Sequence, residues 1–486
     1  DKNTGIGYNA LTALTTGSWN TAVGYEAGKD MTTGADNTAF GLSAGTAITT
    51  GTRNIAIGGV ALDAADAEND NLAIGYAALG GAINGGEFNV AVGNYSMDAL
   101  TAGDKNTGVG YNTLTANTDG EENTAIGHGS LAANVGGSDN SAVGLASLAN
   151  NTTGSGNSAF GSEALKDNTT ASNNTAVGNE ALKSNTTGTR NIAIGKNALD
   201  APDTENDNLA IGYDALGGAI AGGEYNVAVG NYSLDANTSG DYNVAVGYNA
   251  LTANTTGSEN TAIGYKALLA NTTADGNTAI GYALESNTTG QENTAMGRTV
   301  LRANTTGEYN TGMGAKSLNS NTTASFNTAI GYEALRDANR TADVNAYNTA
   351  FGYQAGNTGT NDITTGDKNV LMGSSTAVSK AAATNQIIIG HGVSGTGDNF
   401  AVIGNADITR LYAAQDGAGV LYANGTIQSS DRRIKKEIND LAYGLSFIKR
   451  LRPVSYYKLN PQDYPQELKD KFYPNGNVRQ VASEDY

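Results

Sequence analysis

Cysteine is absent from the 486 residues, and tryptophan, histidine and proline are scarce, at 1, 2 and 5. Without cysteine there is no disulfide, no thiolate nucleophile and no zinc site built on thiolates, and the chain is silent on redox compartment. No uninterrupted apolar run approaches the ~20 residues that a membrane-spanning helix requires, so membrane insertion is not expected. The first residues show no basic-then-apolar leader, which decides nothing about secretion. Positive charge is also short. The 28 Lys and Arg stand against 47 Asp and Glu, a net of −19, which suits phosphate backbones poorly, so nucleic acid is not an expected partner. Glycine, by contrast, occurs 65 times. So much glycine with so few large apolar groups argues against several thick globular cores despite the length.

What the chain does have is a period. The pentad Asn-x-(Ala/Gly)-(large apolar)-Gly begins 22 times between Asn3 and Asn369, and sixteen of the 21 intervals are 17 residues. Two degenerate copies follow, QIIIG at 386–390 and FAVIG at 400–404. A longer period is superimposed, because residues 51–100 match 188–237 at 41 of 50 positions. A 17-residue unit rich in Asn, Thr, Gly, Val and Ile is too short for a helical hairpin and suits strands and turns.

Each unit therefore reads as one rung of an all-β parallel β-solenoid (β-roll) of about 24 rungs over residues 1–404, about 115 Å long at the ordinary strand spacing. Alternation puts the third and fourth pentad positions on opposite faces, which predicts a strand buried on both sides with its Ala/Gly row close to another backbone. The second half, x-Ala-Leu-x-x-Asn-Thr-Thr-Gly, predicts one more short strand and then a turn. Ladders are expected from the opening Asn and the closing Gly, as at Asn20 and Gly24, Asn123 and Gly127, and Asn260 and Gly264. In this reading the Asn adopts left-handed geometry and bonds its amide to the next rung, and the Gly makes a sharp corner. Insertions, as in the 21-residue units at Asn327 and Asn348, should fall at corners. So thin a two-strand coil cannot hide both faces of its pentad strand. A parallel homotrimer follows, with either the Ala/Gly face or the Val/Ile face toward the threefold axis.

The rungs NTAIGYKAL (260–268) and NVAVGYNAL (243–251) resemble the head repeats of trimeric autotransporter adhesins, and they also resemble the fibre repeats of phage tail proteins. This resemblance covers about 400 residues, although the adhesin heads typically use a shorter period. It implies a trimeric fibre, extracellular on a virion tail or a cell surface, whose partner is a cell-surface glycan or receptor.

Beyond residue 404 the composition changes. Residues 430–486 carry +3 against −22 for the first 429. Residues 405–429 read as a short β connector, and 430–486 as a small α+β segment. Asp440 is placed to cap a helix whose Leu441, Leu445, Ile448 and Leu451 share one face and which ends at Pro453, with a strand following at 454–459. The run Ser430-Asp431-Arg432-Arg433-Ile434-Lys435, followed by Glu437-Ile438 and LRPVSYYKL at 451–459, resembles the start of the C-terminal intramolecular chaperone of phage tail spikes, tail fibres and endosialidases, a self-cleaving serine peptidase family. The resemblance implies Ser430 as nucleophile, Lys435 as base, Ser429–Ser430 as the scissile bond, Asp431 and Arg433 as support, and a truncated chaperone. Read from the residues alone, Ser430-Asp431 is a turn or helix cap and Lys435 a solvated charge.

Several features are read as structural. The Asn-Thr-Thr segments, as at Asn185 and Asn254, satisfy the glycosylation pattern but are what a repeated turn needs. Tyrosine follows the pentad Gly at Tyr8, Tyr25, Tyr76, Tyr111, Tyr213, Tyr248, Tyr265, Tyr282, Tyr332 and Tyr353, a column suited to packing between rungs or chains and alternatively to stacking on sugars. The acidic loops Asp66-Glu68-Asp70 and Asp203-Glu205-Asp207 read as solvated charge, with calcium as the minor reading. No carboxylate pair stands out from its repeats, His128 and His391 have no evident partners, and no cofactor or metal site is expected. The leading function is thus a structural and adhesive trimeric fibre with a chaperone that guides trimerisation. A self-cleaving endopeptidase is the alternative from the enzyme class, and stacked Thr-Thr pairs raise an ice-binding array as a third reading.

Overall fold

A computed structural model describes residues 2–341, 344–411 and 465–472; the chain divides into two units, 1–409 and 410–486. In the first, each repeat contributes one three-residue strand, from β1 (Thr4–Ile6) and β2 (Thr21–Val23) to β24 (Ala401–Ile403). Successive strands pair in parallel at an offset of one repeat. Thr4, Gly5 and Ile6 pair with Thr21, Ala22 and Val23, and the 16-residue rung is absorbed with Thr278 still opposite Thr294. The degenerate segments supply the last pair, Ile387–Ile389 against Ala401–Ile403. A slip of one residue would turn every pentad Ala outward and every Ile inward, so the register is strongly specified. The unit is an all-β parallel solenoid, as the period predicts.

The remainder of the rung departs from expectation. The x-Ala-Leu segment is a run of turns, not a second strand, because its backbone alternates in hand. In the rung opening at Asn260, Gly264, Lys266 and Leu268 have φ of +133°, +54° and +52°, so the segment cannot extend. It still bonds to the following rung, with Leu268 N donating to Ala283 O at 3.2 Å and Ala270 N to Glu285 O at 3.1 Å. Left-handed geometry at a non-glycine residue costs about 1–2 kcal/mol. It is sustained here because the curl puts the Leu side chain in the core.

That core is one layer thick. A column of alanines (Ala125, Ala142, Ala159, Ala176) and a column of leucines (Leu131, Leu148, Leu165, Leu182) are fully buried together. Alanine on the strand leaves the width that leucine fills from the opposite wall. The fourth pentad residue must therefore point outward, and Ile126, Phe160 and Ile263 are 40%, 43% and 40% exposed. The strand is thus not covered on both faces within one chain. Its Ala/Gly row lies inside its own coil rather than against another backbone, and its Val/Ile row is the uncovered one.

Extra residues sit at corners, as expected. In the unit from Asn348 the inserted turn is closed by Asp362, whose Oδ1 accepts from Thr358 N at 2.6 Å and Gly359 N at 2.8 Å. In the second unit the described element is helix α1 (Gln466–Phe472), which starts directly after Pro465 and was not anticipated. The described part of the connector, 405–411, contains no strand. Residues 412–429, the expected helix from Asp440 and the strand at 454–459 lie outside the described residues.

The backbone approach between rungs is very close at most pentad glycines. At Gly161, φ is +148° and an added Cβ would lie 2.2 Å from Gly178 O. Gly129 has φ +65° and nothing within 4 Å of such an atom. Gly129→Ala is expected to cost about 1 kcal/mol, whereas Gly161→Ala should cost about 4 kcal/mol or more, the range reserved for severe defects. Unfolding midpoints of the two variants compared with the parent chain check the difference.

Candidate functional site

The repeated residues converge on one inner corner. Asn123, Asn260 and the other pentad asparagines from Asn20 to Asn369 are buried, and their side chains bond across rungs. Asn260 donates from Nδ2 to Asn243 Oδ1 at 3.2 Å and to Ala274 O at 2.8 Å, while its backbone N–H reaches Asn243 Oδ1 at 3.1 Å. Asn20 is held in the same way, with its N–H on Asn3 Oδ1 at 2.8 Å and Nδ2 on Gly34 O at 2.8 Å. The chain of Oδ1-to-N–H links runs unbroken from Asn3 to Gln386, through the irregular rungs included. The ladder is as the sequence predicts, but the left-handed residue is the one before the Asn, such as Trp19, Asp36 or Glu259. The closing glycines complete the corner: at Gly24, Gly127 and Gly264 an added Cβ would lie 2.2, 2.4 and 2.6 Å from the carbonyl oxygen of the next rung's Gly.

A second asparagine ladder occupies the Asn-Thr-Thr corner, which sequence reasoning read only as a turn. Asn151 Nδ2 donates to Asn134 Oδ1 at 2.7 Å and to Gly154 O at 2.9 Å, and the pattern repeats from Asn117 to Asn185 and from Asn237 to Asn321. Its signal was the recurrence of that Asn at the same 17-residue interval. Asn185 and Asn254 are fully buried donors in this ladder, so the glycosylation pattern there is incidental to the fold. The two runs stop where the next rung offers no Asn, and the Oδ1 atoms of Asn185 and Asn321 are left without a partner. In most pairs the first Thr donates its hydroxyl to the next rung, as from Thr152 to Thr169 O at 2.9 Å, so those donors are used between rungs.

The outer surface of the strand is a lane of half-exposed Thr, Val and Ile beside Ile, Val, Phe and Met. Aromatic columns flank it on both sides. After the Gly, Tyr8 stacks on Tyr25 at 5.2 Å, Tyr213, Tyr232, Tyr248, Tyr265 and Tyr282 form a continuous run at 5.4–6.1 Å, and Tyr332 stacks on Tyr353 at 5.5 Å. Tyr76 reaches Tyr111 through Tyr95, and His128 stacks on Tyr111 at 5.3 Å. Before the Asn, Tyr225 stacks on Tyr242, and Phe326 stacks on both Tyr309 and Tyr347. Ring packing between rungs is thus the role within one chain. His391 has its carbonyl within 3.2 Å of Asn405 Nδ2.

The acidic loops are wired internally. Glu68 is 7% exposed and accepts from Asp66 N, Ala67 N and Gly85 N at 2.8–3.0 Å; Glu205, 4% exposed, accepts from Asp203 N, Thr204 N and Gly222 N at 2.9–3.0 Å. Asp70 and Asp207 pair with Arg53 and Arg190 at 2.6 and 2.7 Å. No group of three or more potential metal ligands occurs among the described residues. Among the described residues, two carboxyls have strongly displaced proton affinities. Burial, with Asp214 nearby, pushes Asp200 up to about 6. At Glu333 the Gln354 amide, with Lys316, holds the carboxyl down at about 2.

The signs oppose. Asp200 contributes stability below the ordinary 3.8, lost as pH rises through about 6; Glu333 contributes above the ordinary 4.5, lost as pH falls toward about 2. Asp200→Asn should raise the unfolding midpoint at neutral pH and remove the decline across the first window. Glu333→Gln should lower it at neutral pH and flatten the acid limb. Thermal unfolding over a pH series measures both.

Ser429, Ser430, Asp431, Arg433 and Lys435 lie outside the described residues. No curated protein matches the chain. Residues 430–472 match the family model described as chaperone of endosialidase, so that segment is similar to that family.

Proposed function

We propose that the chain is the shaft subunit of a homotrimeric, extracellular adhesive fibre, on a phage tail or a bacterial surface. The outward apolar lane carries this reading. Ile126, Phe160, Val177, Ile194, Ile263 and Phe351 are 38–55% exposed in one chain, aligned by register along the coil, where solitary exposed apolar residues would be scattered. Parallel association of copies through that lane covers it and leaves the rest of each rung to solvent. Rung stacking then supplies stiffness, and repeated surface groups supply avidity for a repetitive glycan or receptor. The chaperone-like segment sets chain register at one end.

In this reading, Ile126→Glu and Ile263→Glu each bury a carboxylate at the interface, at about 3–5 kcal/mol per unpaired charge. Native mass is expected to fall from three chains to one, while Val135→Glu, exposed in the turn half of its rung, leaves the trimer intact. A particle of one chain for the unaltered protein ends the proposal.

The second reading is self-cleavage, favoured because the family match starts at Ser430. Ser430 Oγ, with Lys435 taking its proton, attacks the Ser429 carbonyl; the Ser429–Ser430 peptide bond breaks to leave an ester and a free Ser430 amine, and water hydrolyses the ester to release the segment that begins at Ser430. Denaturing gels of the protein should show a fragment that disappears in Ser430→Ala. Identical gels for the two forms would remove this activity.

A further inference from the structure

The loop over 80–86 belongs to an 18-residue rung and to the block that recurs 137 residues later, where Ala221 stands in place of Asn84. Three features meet there. Asn84 is exposed and its side-chain amide makes no hydrogen bond, while its backbone N–H is anchored on Thr101 O at 2.6 Å. Gly85 follows with φ +113° and nothing within 4 Å of an added Cβ, so no side chain shields its nitrogen. The Gly85 N–H donates at 3.0 Å to Oε1 of the buried Glu68 carboxylate. A backbone nitrogen beside a free carboxamide, with a proton acceptor already on its N–H, is the arrangement for intramolecular imide formation. The ladder asparagines differ in each respect: Asn89 is buried, both of its amide atoms are bonded, and a β-branched Val90 follows.

We propose that Asn84 is a self-modification site at which the chain converts its own asparagine to aspartate and isoaspartate. The Gly85 nitrogen forms a bond to Asn84 Cγ, and its proton passes to Glu68. The Cγ–Nδ2 bond breaks, and that proton leaves with the nitrogen as ammonia. Water then opens the cyclic imide at either carbonyl. Opening at Cγ restores the ordinary backbone with aspartate in place of Asn84, and opening at the main-chain carbonyl routes the backbone through Cγ as isoaspartate. Both products add one negative charge to the loop, and isoaspartate also lengthens its backbone by one methylene beside Glu68.

The test incubates the folded full chain in mildly alkaline buffer, then follows the peptide containing residue 84 by mass spectrometry and isoaspartate by enzymatic methyl labelling. The expected result is loss of the original Asn84 peptide to two acidic isomers while the Asn89 side chain is unchanged. Asn84→Ala should abolish the labelling at this loop, and Ala221→Asn should create the same conversion at the second copy, where Gly222 N–H donates to Glu205 Oε1 at 2.9 Å. Glu68→Gln, in protein whose melting shows it folded, should slow conversion at Asn84. An intact Asn84 in folded protein that converts only after denaturation overturns the proposal. A second loop that stays inert in Ala221→Asn while Asn84 reacts, or a rate unmoved by Glu68→Gln, overturns the role of the carboxylate-held loop.

Discussion

Everything in the solenoid rests on how closely one backbone corner approaches the next. At the pentad Gly the chains of adjacent rungs are too near for any Cβ, and immediately upstream an Asn side chain stitches the same two rungs with one acceptor and two donors. The buried polar groups at that corner are satisfied because every rung presents the same residue at the same depth; removal of one asparagine would leave unpaired groups in three places, each costing on the order of 1–3 kcal/mol. The same stacking makes a left-handed leucine tolerable once per turn. Locally unfavourable geometry is held by contacts that are non-local in sequence and only one repeat away in space.

The same constraint makes much of the fold legible in the sequence. A coil whose turns must superpose forces the residue at each depth to recur, so the 17-residue interval, the strand at the pentad, the corner glycines and the asparagine ladder were legible. The direction of the strand was not, because Ala and Ile are both apolar and alternation alone does not say which side is inside; the width left for leucine decides it. The x-Ala-Leu segment was read as a strand because apolar spacing carries no information on the sign of φ. The Asn-Thr-Thr corner was under-read for another reason: its turn chemistry was sufficient to explain the residues, and their strict recurrence as a buried ladder was passed over. The acidic loops looked solvated by composition, yet Glu68 and Glu205 are buried because three backbone N–H groups point at each. The candidate site around Ser430 rests on motif likeness and the family match.

The coil gives each half of the rung a different task. The Leu, Ala and Asn positions close the interior and admit little change. The outward strand lane and its flanking columns vary in residue while keeping their positions, with Tyr, His, Leu, Asn, Lys and Arg following the pentad Gly in different rungs. A scaffold of this kind separates folding from surface chemistry, and block duplication can then copy surface features wholesale, as the shared Arg–Asp pair and buried Glu of the two related blocks demonstrate.

The second asparagine ladder is discontinuous, and its terminal acceptors at Asn185 and Asn321 have nothing to hold. The first ladder passes through both of these levels without a break, so the solenoid is double-stitched along two stretches and single-stitched between and beyond them. The solenoid is accordingly not uniform along its length: two stretches carry amide columns at both corners, and the other rungs fill the second corner with buried apolar side chains such as Met31, Ile48, Ile83 and Leu100.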